Sequence, residues 1–158
     1  MDLICWRHAD AVSVKNESEA DFHRRLTSKG RKPALCVATW LERHLPDSAR
    51  VLASPAVRAQ ETAAALGRKV STVQELGVGA QAVQVLVAAG WPDNRYPVVV
   101  VAHQPTLGRV ASLLLFGVEQ DLPMRKGAAW WITNRSRKDT GDADSRLTLR
   151  AAVCPDYL

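Results

Sequence analysis

The chain has 158 residues, of which 47% are hydrophobic and 23% charged, the make-up of one globular domain long enough to bury a sizeable core. No stretch approaches the roughly 20 consecutive apolar residues of a membrane span, and the N-terminus lacks the basic-then-apolar pattern of a secretory signal. The formal charge of +5 favours anionic partners. The basic residues are nevertheless scattered and carry no zinc-finger, homeodomain or RNA-binding signature, which argues against nucleic acid.

In chain order, Leu3 to Trp6 is a short apolar run that reads as a buried strand, ending abruptly in Arg7-His8. Val12 to Phe22 has no period and reads as an irregular loop. Thr27 is the expected N-cap of a helix whose apolar stripe is Leu35, Ala38, Leu41 and Leu45, with Val37 and Trp40 at its margin. Pro46-Asp47 closes it. Arg50 to Ala53 is a second short strand, and Pro55 to Leu66 a helix opened by proline and ended near Gly67. Ser71 to Gln74 gives a short strand and Ala80 to Ala89 a helix.

Val98-Val99-Val100-Val101-Ala102 is the clearest strand, a β-branched run that implies burial on both faces at the centre of a parallel sheet. It ends at His103, after which Gln104-Pro105-Thr106 opens a helix through Leu115. Lys126 to Thr133 and Arg146 to Val153 read as late strands flanking a polar hairpin around 139–145. Strands alternating with helices predict an α/β domain over residues 1–158, three-layered, with a mostly parallel but mixed central sheet flanked by helices. Cys5, Cys36 and Cys154 are odd in number and far apart, so they read as buried free thiols of a cytoplasmic protein and not as a disulfide framework or zinc site.

Taken alone, an Arg-His pair at a strand end reads as a solvated edge. Arg7 and His8, Arg58 and His103 all follow strands, however, and in an open α/β sheet the ligand crevice lies outside the carboxyl ends of the strands. Two guanidiniums would oppose a metal cation, and no carboxylate accompanies either histidine as a ligand, so neither a metal nor another cofactor is expected. A phosphoryl group fits better. Arginine offers forked donors matched to phosphate oxygens, and a neutral imidazole can attack phosphorus to give a covalent phosphohistidine that water hydrolyses. The arginines and the second histidine would stabilise charge on the equatorial oxygens.

These residues carry a family resemblance. Arg7-His8-Ala9-Asp10-Ala11 resembles the Arg-His-Gly/Ala motif of the histidine phosphatase, or phosphoglycerate mutase-like, superfamily. Ser54-Pro55-Ala56-Val57-Arg58-Ala59-Gln60-Glu61-Thr62 resembles its Ser-Pro-x-x-Arg-Ala-x-x-Thr motif, and Val101-Ala102-His103-Gln104-Pro105 the block with the second histidine. The short chain, Arg24-x-Leu26-Thr27-x-x-Gly30 and His103-x-Pro105-x-x-Gly108 are most similar to the SixA branch of phosphohistidine phosphatases.

The resemblance implies His8 as nucleophile and Arg7, Arg58 and His103 as the phosphate pocket. It implies no cofactor, and as substrate a phosphohistidine protein or a small phosphorylated compound. Glu75 falls where the acid of sugar-phosphate members would lie, with an exposed loop carboxylate as the equal alternative, while Asp10 reads as shaping its loop. SixA-like members are expected to manage without a dedicated carboxylic acid. A broad small-molecule phosphomonoesterase, a phosphomutase and a non-catalytic phosphoprotein-binding module are the competing readings. His23 and His44 read as solvated, and Trp130-Trp131 as core packing with one ring at the edge.

Overall fold

The computed structural model describes residues 1–14, 19–135 and 146–158. Strand β1 (Asp2–Arg7) is followed by the single turn α1 (Glu19–Phe22), α2 (Ser28–His44), β2 (Arg50–Ala53), α3 (Val57–Ala64) and β3 (Val70–Thr72). Then come α4 (Ala82–Ala89), β4 (Val98–Ala102), α5 (Thr106–Phe116), β5 (Ala129–Arg135) and β6 (Arg146–Val153). The sheet order is β3-β2-β4-β1-β5-β6. β3, β2, β4 and β1 run parallel, and β5 and β6 add antiparallel ladders at one side.

Side-chain alternation along the central strands divides the core in two. Ile4 and Trp6 of β1, with Val99 and Val101 of β4, pack beneath Val37, Ala38 and Leu41 of α2 and Ala59 and Ala63 of α3. Leu3 and Cys5, with Val98, Val100 and Ala102, face Val85 of α4 and Leu107 and Val110 of α5. Every residue of β4 is buried, as its β-branched run demands. The result is the expected helix–sheet–helix sandwich. Trp131 is buried and Trp130 only half-buried, one ring to each face.

Several local expectations shift. The apolar face of α2 is Ala34, Val37, Ala38 and Leu41, whereas Leu35 is 57% exposed. The face is marked by a small residue, Ala34, which lets the helix settle on Ala9, Ala11 and Leu26. Part of the loop expected over Val12 to Phe22 is the helical turn α1. Helix α3 starts at Val57 and not at Pro55: Ala56, which precedes it, is extended, and its N–H donates to the Ser54 hydroxyl (3.3 Å) instead of entering the helix. β3 starts at Val70 and gives way to a 3-10 turn at Gln74–Leu76, and β5 starts at Ala129, after the turn at Gly127. Cys5 is buried, but Cys36 and Cys154 are only partly so. The polar hairpin expected around 139–145 lies outside the described residues. No described helix is long and apolar enough to cross a membrane.

Candidate active site

The register of β1 on β4 pairs Arg7 with Ala102, so the next residues, His8 and His103, leave neighbouring strand ends side by side. Their ring centroids are 5.2 Å apart. On the other side of β4, Ala53 pairs with Val101, and the chain turns through Ser54 into α3, whose first turn carries Arg58. Sheet topology and the first turn of α3 therefore gather four residues drawn from positions 7 to 103. With Asp21, Arg24 and Lys126 they line a cavity of about 420 Å³.

Each side chain is fixed by a second set of contacts. Arg7 Nη1 donates to the Met124 carbonyl at 2.5 Å, and Trp6 Nε1 to that of Gly127 at 2.9 Å. The Ala9 N–H donates to Thr62 Oγ1 (3.1 Å), which itself donates to the Arg58 carbonyl (2.7 Å), bolting the turn after His8 to α3. Asp10 accepts from Lys126 Nζ at 2.6 Å and from Thr27 Oγ1 at 2.9 Å, and these hydrogen bonds hold its carboxyl below the usual range. Asp10 thus clamps its loop. Gly30 explains itself: a Cβ there would run into the Asp10 carbonyl oxygen. Thr27 caps α2 as expected, accepting the Gly30 N–H at 2.9 Å.

His8 Nδ1 lies 2.8 Å from the Ala9 carbonyl oxygen. A carbonyl only accepts, so Nδ1 carries the proton and Nε2 keeps its lone pair. Burial, helped by Arg58, Arg7 and Arg24 and opposed by the Ala9 hydrogen bond, pushes the imidazole pKa down to about 4. His103 is pushed to about 3 by burial, with His8 and Arg58 adding to it. Both rings are neutral near pH 7, which is what a nitrogen nucleophile needs.

Arg58 is 3% exposed. Its Nη1 and Nη2 donate to the Asp21 carbonyl oxygen (2.6 Å) and carboxylate (2.9 Å), and Arg24 Nε donates to the same carboxylate at 2.8 Å. Arg7 Nε, Arg58 Nε and His103 Nδ1 are buried without a protein partner. The two guanidinium Nε atoms are donors whatever the pH, and buried donors are costly to leave unpaired, so a cavity lined by these cations suits an anion. Among the described residues, no group of three or more His, Cys, Asp or Glu could hold a metal ion.

Sequence reasoning placed His8, Arg7, Arg58 and His103 together, and the structure brings them together. It does not bring Glu75. That residue is exposed on the 3-10 turn after β3 and lines a separate apolar hollow with Val73, Val83 and Val87, because the turn directs Leu76 and not Glu75 into the core. Asp21 was missed, lying in a stretch without periodicity; its only sequence signal is the i, i+3 spacing to Arg24. Ser54, Thr62 and Lys126 were visible as residues but not as parts of the site. His23 is exposed, edge-on to Phe22, and His44 stacks on Trp40 with centroids 4.1 Å apart; neither lines the cavity.

A family model described as the histidine phosphatase superfamily, branch 1, matches residues 3–79. An uncharacterized protein of Picosynechococcus sp. is 33% identical, with 94% of each chain covered. Among solved structures, the SixA protein of Agrobacterium tumefaciens superposes with a TM-score of 0.76 at 20% identity, over 98% of this chain and 97% of that one. The protein histidine phosphatase SixA complexed with tungstate gives 0.74 at 23% identity over 99% of both. A phosphoserine phosphatase of Entamoeba histolytica gives 0.71 at 14% identity, over 99% of this chain and 98% of that one. At such identities the solved structures establish a shared fold.

Proposed function

This chain belongs to the histidine phosphatase superfamily, and from that premise we propose that it is a metal-independent phosphatase that removes phosphate from phosphohistidine of a protein through a covalent intermediate on His8. The observation that carries this reading is the free Nε2 lone pair of a neutral His8 inside a cavity walled by Arg7, Arg58 and His103.

Nε2 attacks phosphorus in line with the leaving nitrogen. The Nε2–P bond forms as the substrate P–N bond breaks, and the leaving imidazole departs with a proton it already carried. Arg7, Arg58 and the second histidine balance charge on the equatorial oxygens. Because His8 entered as the Nδ1–H tautomer, the phosphorylated ring is cationic, and the Ala9 carbonyl accepts from that N–H. A cationic ring is a good leaving group, so water then attacks phosphorus, the Nε2–P bond breaks and phosphate departs. The water proton passes to phosphate or solvent.

The choice of a phosphoramidate over an ester rests on Asp21. Of the described residues lining the cavity it is the carboxylate. Its hydrogen bond to Arg58 and the nearby Arg58 and Arg24 charges hold it ionised against the opposing effect of burial. An ionised carboxylate cannot protonate an alkoxide leaving group, whereas a P–N bond needs no enzyme acid. Exposed Val78 and Lys126 at the rim leave room for a phosphate carried on a protein surface.

Turnover of a phosphohistidine protein, phosphoserine and an aryl phosphate by the same preparation tests this directly. The phosphohistidine protein should be processed fastest, EDTA should change nothing, and an acid-labile phosphoenzyme should be trapped in wild type but not in His8→Ala. Full activity in His8→Ala would remove the nucleophile, and a preference for phosphoserine would remove the leaving-group argument. Stoichiometric binding without turnover would favour a phosphoprotein-binding module.

A further inference from the structure

Ser54 is fully buried one residue beyond β2, and its hydroxyl sits 2.7 Å from His103 Nε2. The backbone there leaves it little freedom: the Ser54 N–H donates to the Val101 carbonyl at 2.9 Å, and the Ser54 carbonyl accepts from Gln60 Nε2 at 2.6 Å. A hydroxyl has one proton to give and lone pairs to receive with. One lone pair takes the Ala56 N–H. The hydroxyl proton then has a single acceptor within reach, the bare Nε2 of His103.

The opposite arrangement, with His103 donating from Nε2, would strand the hydroxyl proton in a dry interior. It would also leave Nδ1 a bare lone pair rather than an N–H. A buried donor without an acceptor is penalised by the whole cost of its desolvation. The ring atom without a protein partner is Nδ1, on a residue that lines the cavity. His103 is neutral near pH 7, burial having lowered it to about 3, so it has one ring proton and its position matters.

We propose that Ser54 is a positioning residue: by donating its hydroxyl proton to Nε2 it fixes His103 as the Nδ1–H tautomer, which keeps a hydrogen-bond donor ready for a phosphoryl oxygen. The use of that donor rests on the phosphatase reading; the tautomer itself does not. The two histidines of the site are then matched. His8 is held as Nδ1–H by the Ala9 carbonyl and exposes a lone pair at Nε2, whereas His103 is held by Ser54 and offers a proton at Nδ1. One attacks and the other donates, through hydrogen bonds of opposite polarity on their far nitrogens.

Long-range proton–nitrogen correlation spectra of the wild-type protein, with the His103 signals identified by their loss in His103→Ala, report which ring nitrogen is protonated. The chain has only four histidines to separate. The expected result is Nδ1–H in wild type and a loss of that preference in Ser54→Ala. Inhibition by inorganic phosphate and by orthovanadate should weaken roughly ten-fold in Ser54→Ala, the worth of one hydrogen bond to a charged ligand. In a His103→Ala background the same substitution should cost less than about two-fold, since partners acting through one group are not additive.

A wild-type ring protonated on Nε2 would overturn the proposal, as would an equal loss from Ser54→Ala with and without His103. Should Ser54→Ala fail to fold, the wild-type spectrum still decides. A wild-type protein that shows Nδ1–H but neither binds phosphate nor turns over substrate would sink the phosphatase reading and leave the tautomer assignment standing.

Discussion

At the level of single residues, the site is a set of groups kept in the state that chemistry requires and stability resists. His8 and His103 take up a proton near 6.5 in the unfolded chain and resist it when folded, down to about 4 and about 3. Below 6.5 the unfolded state therefore binds more protons than the native one, and stability drops as pH falls. The melting temperature should decline between pH 6.5 and about 5, above the range where carboxylates titrate, and His103→Asn should flatten that decline in thermal scans. An unchanged slope would mean that the His103 ring is not held neutral. Asp21 is the second such group. It takes one N–H from each terminal nitrogen of Arg58, and its charge offsets the guanidinium that a phosphate would meet. In Asp21→Asn the charge pairing is gone, and orthovanadate should bind roughly two- to five-fold tighter by inhibition titration, the span expected of one partly exposed ion pair. Weaker binding would show that Asp21 instead holds Arg58 in its useful orientation.

The secondary-structure elements place these residues through close contacts rather than through size. Gly30, in the first turn of α2, lies against the Asp10 backbone, and Gly108 in α5 lies so near the Leu122 carbonyl that a Cβ would collide with it. Gly30→Ala must push α2 off the loop that carries His8. A loss of about 1–3 kcal/mol in denaturant unfolding is expected, the usual cost of overpacking, together with a fall in kcat. Thr62→Val preserves shape but strips the acceptor from the Ala9 N–H. The unpaired amide should cost about 1–3 kcal/mol in the same unfolding measurement; an unchanged midpoint would mean that water replaces the hydroxyl. The same contacts explain what could be read from sequence. The valine run of β4 and the Thr27 cap announce themselves locally, as do the residues that leave the strands. Leu35 misleads because a large residue is a poor guide to a helix face that docks through Ala34. Turn α1 was invisible because Asp21 is tied to Arg58, 37 positions away, and no local pattern encodes a distant partner. Glu75 was placed by chain position alone, which cannot tell which side chain of a tight turn points inward.

Across the whole molecule, charge and topology converge on one face. The sheet collects Arg7, Arg24, Arg58 and Lys126 around the cavity, against the carboxylates of Asp21 and Asp10, and the chain carries +5 overall. A phosphate inside the cavity meets those cations within a few ångströms, where salt screens weakly. An acidic phosphoprotein approaching from solution feels them across tens of ångströms, where the screening length shrinks from about 30 Å at 0.01 M salt to about 8 Å at 0.15 M. The two kinds of substrate should therefore separate. For an acidic phosphohistidine protein, kcat/KM should fall about ten-fold across that salt range with kcat nearly constant, because association is what the field accelerates. Free phosphoramidate should change far less. Lys126 is half-exposed at the rim, so Lys126→Ala should lower kcat/KM for the protein substrate at low salt and shrink its salt dependence. Equal salt responses for both substrates would mean that the basic surface does no steering, and that recognition is confined to the four residues at the strand ends.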